Sequence, residues 1–309
     1  MPADETQSQK SSIYIFGGFP KYREEVETTL KSFYELKFFE DLERAGEDVF
    51  KVAPKAIMVD EIVPPKGGAN LIARIRKIKE AKSIPIIFSV KATSKEMVAE
   101  AKSYGGIIVL EKPYRKSTLV NALSDGVNKS VEAEWEQFDP VQKAALKNSL
   151  SSFNSIADLI HAGEPIPYDD VRDSCAPLTE AVQSGNYKDI LAGVSNHDNY
   201  TYVHSLRVAT FLSLFGNTLG IGGDDLKTLA TGGLLHDAGK MFIPHNVLNK
   251  AGKLTDEEFA VMKSHVCCTV DFLEKTPDIP NAVLVIAGQH HEKLDGSGYP
   301  HGIKGLKLN

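Results

Sequence analysis

Leu226-Lys227-Thr228-Leu229-Ala230-Thr231-Gly232-Gly233-Leu234-Leu235-His236-Asp237-Ala238-Gly239-Lys240 is an apolar helical pattern that runs into an imidazole and a carboxylate side by side. Leu226, Leu229, Leu234 and Leu235 predict a buried helix, and Gly239 is expected to end it. Both His236 and Asp237 can reach a metal ion. The surrounding sequence is unusual in the same sense. All nine histidines lie after residue 160, and seven fall between His204 and His301, where an even spread would place about three.

The neighbouring segments each bring a ligand type to a helix. From Tyr202 to Leu219 the residues Val203, Leu206, Phe211, Leu212 and Phe215 follow helical spacing, with His204 early in the run. Thr255-Asp256-Glu257-Glu258 is a capping box, and the helix it opens carries Phe259, Met262 and Val266 with His265 beside that stripe. Val283 to Ala287 opens another apolar helix ending in His290-His291-Glu292, followed by the loop Asp295-Gly296-Ser297-Gly298-Tyr299-Pro300. Six potential ligands, His204, His236, Asp237, His265, His290 and His291, thus come from four helices. One carboxylate among five imidazoles suits two divalent ions, with Asp237 as the bridge. Mixed nitrogen and oxygen ligation favours iron, manganese or zinc over magnesium. Paired metals lower the pKa of water and clamp a phosphoryl group, which is phosphoester hydrolysis chemistry. Lys240 can set a positive charge on a phosphate oxygen, and the glycine-rich loop permits close approach to a substrate with Tyr299 as a ring face.

The first 128 residues alternate strands and helices. Strands are expected at 13–16, 37–40, 56–59, 84–89 and 107–110, and helices at 20–30, 42–52, 70–82, 97–103 and 117–127. Five βα units imply a parallel sheet covered on both faces, an α/β doubly wound domain. Polar residues that end the strands, Asp60, Ser89 and Lys112, then sit at the carboxyl edge where such sheets place function. Residues 129–190 read as a helical connector that holds Trp135, interrupted at Asp139-Pro140 and bent at Pro177. Residues 191–309 form the ligand-bearing, all-α part.

Composition bounds the rest. The 309 residues suggest two domains, and 35 basic against 41 acidic side chains leave a net charge of −6, which argues against an extended nucleic-acid surface. No apolar run approaches the roughly 18 residues of a membrane helix, and the polar N-terminus is unlike a signal peptide, so a cytoplasmic protein is expected. Cys175, Cys267 and Cys268 offer no disulfide framework and are expected to be small buried side chains.

Two resemblances follow. The first third resembles a response-regulator receiver domain, whose phosphoacceptor Asp, hydroxyl residue and Lys before Pro match Asp60, Ser89 and Lys112-Pro113. The family's acidic pair is replaced by Gly17-Gly18, so a degenerate receiver that docks or dimerises is expected rather than phosphorylation at Asp60. His236-Asp237-Ala238-Gly239-Lys240 with His290-His291-Glu292-Lys293-Leu294-Asp295-Gly296-Ser297-Gly298-Tyr299-Pro300 resembles the HD-GYP family of cyclic-di-GMP phosphodiesterases. That resemblance implies an all-helical HD bundle, the six ligands above as metal ligands with Asp237 bridging, and substrate contacts from Lys240, Asp295, Gly296, Gly298, Tyr299 and Pro300. Some members hold a third metal through a Glu where this chain has Tyr200, so two metals are implied. Val266 and Thr269 replace a family Pro and Gly. Family members continue past the GYP loop with a further Asp ligand, whereas this sequence stops at Asn309.

Two functions stay open on this basis. One is a signalling phosphodiesterase that opens cyclic-di-GMP to pGpG, with onward hydrolysis to GMP left open. The other is an impaired effector that binds cyclic-di-GMP or a protein partner through the GYP loop or the receiver-like domain.

Overall fold

The computed structural model describes residues 11–17, 20–31, 34–248, 250 and 252–308. The chain divides into two compact units, Met1–Ser130 and Val131–Asn309.

The first unit contains β1 (Ser12–Phe16), α1 (Pro20–Leu30), β2 (Glu35–Phe39), α2 (Leu42–Ala45), β3 (Ala56–Asp60), α3 (Gly68–Ile75), β4 (Ile86–Lys91), α4 (Lys95–Lys102), β5 (Ile107–Lys112) and α5 (Lys116–Glu134). Its five strands are all parallel, in the order β2-β1-β3-β4-β5, which is the flavodoxin-like doubly wound order. Side-chain alternation divides the apolar residues between two faces. Tyr14, Phe16, Ile57 and Val59 pack with Leu71, Ile72 and Ile75 of α3, whereas Ile13, Ile15, Ala56 and Met58 pack with Val26 and Leu30 of α1 and Leu119 and Leu123 of α5.

The expected helix 42–52 is in fact two pieces, because the chain reverses at Gly46 (φ 73°) and continues as a 3₁₀ turn over Glu47–Lys51. The helix expected over 70–82 begins earlier, at Gly68, and stops at Ile75. Arg76 then donates to the carbonyls of Ala81 and Ile84, which holds a short connection in place of further helix.

The second unit is helical: α6 (Pro140–Ala162), α7 (Tyr168–Ser174), α8 (Ala176–Gln183), α9 (Tyr187–Val194), α10 (Tyr200–Thr218), α11 (Gly223–Leu235), α12 (His245–Leu248), α13 (Asp256–Leu273) and α14 (Asn281–Gln289). Pro140 starts α6, where its missing N–H costs nothing, and Pro177 lies in the first turn of α8. Trp135, Phe153, Ile156, Leu178, Tyr202, Leu206, Leu234 and Ala287 share one core, so helices on both sides of residue 190 pack together. The Trp135 indole donates to the Gly193 carbonyl at 2.8 Å.

A close crossing of α10 and α11 sets up the ligand cluster. A Cβ on Gly233 would sit 2.6 Å from Ala209 Cα, so only glycine admits the α10 backbone there. His204 and His236 are carried by those two segments.

The three cysteines are free, and Cys175 is buried. Cys267, expected to be buried, is exposed: on α13 it lies two positions past His265 and therefore faces away from the core. No helix among the described residues is long and apolar enough to cross a membrane.

Candidate metal centre

Asp237 lies just past the end of α11, 1% exposed, and every element that carries an expected ligand converges on its carboxylate. On one oxygen, Oδ2, stand His204 Nε2 at 3.3 Å, His236 Nε2 at 3.1 Å and Lys240 Nζ at 2.7 Å. On Oδ1 stand His265 Nε2 at 3.2 Å and His290 Nε2 at 3.6 Å. Two groups of possible metal ligands result: His204, His236 and Asp237, and Asp237, His265, His290 and His291.

The backbone fixes which ring nitrogen faces inward. His236, His265 and His290 each place Nδ1 against the carbonyl three residues earlier, Gly233, Met262 and Ala287, at 2.7–2.8 Å. A carbonyl accepts only, so each Nδ1 carries its proton and each neutral ring presents an Nε2 lone pair to the centre. His265 Nε2 and His290 Nε2 then face one another at 3.3 Å, and buried Asp237 Oδ1 has no hydrogen-bond donor. Lone pairs gathered in this way repel unless a cation lies among them. The donor set therefore fits divalent metal, and imidazole with carboxylate selects a transition ion over magnesium.

Burial acts on the same groups. It lowers the His236 pKa against the opposing pull of Asp237, and together with His290 and His265 it pushes His291 down to about 3. Burial alone would raise the Asp237 carboxyl, but the imidazoles of His204, His236, His265 and His290 ranged about its two oxygens outweigh it and hold the pKa well below the usual range. These shifts favour the metal-binding protonation states of His236, His291 and Asp237 at neutral pH.

Gly239 does not end α11, which already stops at Leu235. It lies in a 3₁₀ turn, Ala238–Phe242, that presses on α13: a Cβ there would fall 2.1 Å from the His265 carbonyl oxygen. The Gly239 amide donates to Thr269 Oγ1 at 2.8 Å, and that hydroxyl donates to the His265 carbonyl at 2.8 Å. Thr269 thereby ties the segment carrying Asp237 to the helix carrying His265, a positioning role the sequence did not reveal.

The loop residues split in their placement. Tyr299 stacks on His291, with centroids 4.5 Å apart and planes at 19°, and its amide donates to the His291 carbonyl at 3.1 Å. Burial, with the Asp237 charge in support, pushes its phenol up to about 12. Asp295 is held within the loop: its Oδ1 accepts from the Ser297 hydroxyl and amide, which lower its pKa. Gly296 takes φ 78°, Gly298 packs on the backbone of residues 291–293, and Pro300 follows Tyr299. Glu292 was also missed in sequence. Its buried carboxylate accepts from the amides of His301 at 2.7 Å and Ile303 at 2.9 Å, and so clamps the loop.

In the first unit Asp60 is 3% exposed, with Lys112 Nζ 2.5 Å from Oδ2 and the Ile62 amide donating to Oδ1. Ser89 pairs with Asp60 across β3 and β4. A Cβ on Gly17 would fall 2.5 Å from the Val63 side chain and 3.3 Å from Asp60 Cβ, whereas Gly18 lies outside the described residues.

Residues 188–309 match the HD domain family model. The chain thus pairs a receiver-like domain with an HD domain, and its His-Asp and GYP segments resemble those of the HD-GYP family. A cyclic di-GMP phosphodiesterase of Pseudomonas aeruginosa is 35% identical over 113 residues, 37% of this chain and 27% of that protein. A 3'3'-cGAMP-specific phosphodiesterase of Vibrio cholerae is 40% identical over 110 residues, 36% of this chain and 24% of that one. A cyclic di-GMP phosphodiesterase response regulator of Xanthomonas campestris is 27% identical over 254 residues, 81% of this chain and 60% of that protein. The chain thus spans from about a quarter to 60% of these relatives' lengths.

Proposed function

We propose that this chain is a metal-dependent phosphodiesterase that adds water across one phosphodiester bond of cyclic-di-GMP and releases linear pGpG. The observation that carries this reading is the ring of inward-facing imidazole lone pairs around Asp237, beside a lysine and a GYP loop. His204, His236 and Asp237 would hold one divalent ion, and Asp237, His265, His290 and His291 a second, with iron preferred over manganese and zinc. Such ions supply Lewis acidity toward a phosphoryl group and make water acidic enough to attack at neutral pH.

The chain's own side chains do the rest. Asp237 stays ionised at any working pH and holds the two halves of the cluster on its two oxygens. Lys240, 17% exposed on its side chain and anchored on Oδ2, keeps one ammonium beside the site to offset phosphate charge. The stacked His291–Tyr299 pair seats the GYP loop against the cluster. The receiver-like unit would act by docking, because Gly17 stands where the family has a carboxylate.

A second substrate has specific support, since one of the relatives above is named for 3'3'-cGAMP. The deciding experiment incubates the metal-loaded protein with each cyclic dinucleotide and separates the products by chromatography. Wild type is expected to linearise cyclic-di-GMP faster than 3'3'-cGAMP, and Asp237→Ala to lose bound metal and turnover together. Turnover retained in Asp237→Ala would overturn the assigned centre, and binding of the dinucleotide without turnover by the metal-loaded wild type would establish the effector.

A further inference from the structure

The metal cluster is bounded by a tyrosine at each end. Following ring contacts through the site gives Tyr200, His204, His236, His290, His291 and Tyr299, with successive centroid separations of 6.2, 5.2, 4.8, 4.2 and 4.5 Å. At both ends the tyrosine lies nearly parallel to the terminal histidine, at 10° for Tyr200 on His204 and 19° for Tyr299 on His291. Tyr299 belongs to the loop that the sequence already marked. Tyr200 belongs to nothing assigned so far. It opens α10, where Asn199 caps the helix by accepting from the Tyr202 amide, so its backbone is fixed. Yet its side chain stays in solvent: the residue is 72% exposed, among the most exposed large aromatic residues of the chain.

A ring of that size exposed beside a charged, metal-binding cluster offers a stacking face. Its inner edge is held by His204 and its outer face is free. Phosphodiester substrates of this site carry a planar base on either side of the phosphates, and a base stacks on tyrosine regardless of its hydrogen-bonding edge. We infer that Tyr200 is a substrate-binding residue that stacks one purine base of a cyclic dinucleotide at the His204 end of the site, opposite the Tyr299 loop. This rests on the function proposed above and adds to it a second base subsite.

The test compares Tyr200→Phe, Tyr200→Trp and Tyr200→Leu with wild type in three readouts: calorimetric Kd for cyclic-di-GMP, KM against kcat, and metal content by elemental analysis. Stacking worth roughly 1–3 kcal/mol per base predicts that Tyr200→Leu weakens Kd and raises KM by about 5- to 150-fold. Tyr200→Phe and Tyr200→Trp should keep Kd within about threefold, and metal content should be the same in all four proteins. Unchanged Kd and KM in Tyr200→Leu would overturn the inference and leave the phosphodiesterase reading standing. Loss of metal in Tyr200→Leu, with Kd following it, would also overturn it, by making Tyr200 a support for His204. If the wild type binds no cyclic-di-GMP at all, both readings fall together.

Discussion

Asp237 and its neighbours show how far single side chains determine this site, and where the backbone takes over. The six residues that the sequence singles out as ligands converge in space, and they were legible because imidazoles gathered with a carboxylate are conspicuous in sequence. Gly239 was less transparent. Read as a helix terminator, it is instead the point where the Asp237 segment touches α13, 2.1 Å from the His265 carbonyl if a Cβ is added. Gly239→Ala is therefore expected to cost about 3 kcal/mol and to halve metal content or worse, since backbone cannot yield as a flexible side chain does. Urea denaturation and metal analysis check this, and a loss under 1 kcal/mol would contradict it. His197 supplies a pH prediction. It lies buried between Trp135 and Tyr202, its Nδ1 accepts from the Asn199 amide at 3.2 Å, and burial lowers its pKa from 6.5 to about 4. The folded state thus resists a proton that the unfolded chain takes up. Its contribution is complete above about pH 6.5 and is lost as pH falls toward 4, by on the order of 2–3 kcal/mol. His197→Phe should flatten that acid limb in denaturant midpoints measured from pH 7 to 4.5, and an identical limb in both proteins would contradict the assignment.

Elements were legible where their signals are local. The capping box at Thr255 and Glu258 forms as read, with Thr255 Oγ1 accepting from the Glu258 amide, and α1 spans the residues 20–30 that the charge pattern outlines. Strand positions followed from apolar runs, although β2 begins at Glu35, two residues before its expected start, because pairing with β1 decides where it begins. What stayed hidden is what depends on distant partners. Thr269 and Glu292 act through backbone amides 30 and 9 or more residues away, and neither residue type announces such a role. Glu292 is testable at this scale. Its carboxylate closes the loop from His301 to Ile303, and charge-assisted bonds of this kind contribute about 1.5–3 kcal/mol each. Glu292→Ala should speed hydrogen exchange at the His301 and Ile303 amides at least tenfold and raise KM, with metal content retained. Unaltered exchange at those amides would show that the loop holds itself.

On the scale of the whole molecule, the α/β and all-α halves were readable because short apolar runs alternating with helical segments give way to long helical periodicity near residue 129. The extent of shared packing was not, since the common core that joins Trp135 and Phe153 to Leu234 and Ala287 arises between segments a hundred residues apart. That core makes the single tryptophan a reporter for the metal site's unit. Trp135 is 1% exposed and bonded to the Gly193 carbonyl, so its emission changes when this unit unfolds and not before. An ion that binds the folded cluster and not the unfolded chain stabilises by RT ln(1 + [L]/Kd), about 2.7 kcal/mol at a hundredfold excess over Kd. Iron(II) or manganese(II) added to metal-free protein should therefore move the Trp135 fluorescence midpoint to higher denaturant by that amount. Asp237→Ala, which loses the carboxylate common to both ligand groups, should show no movement. A shift of equal size in both proteins would mean that the metal acts elsewhere, and no shift in the wild type would mean that the converging lone pairs around Asp237 do not hold a divalent ion.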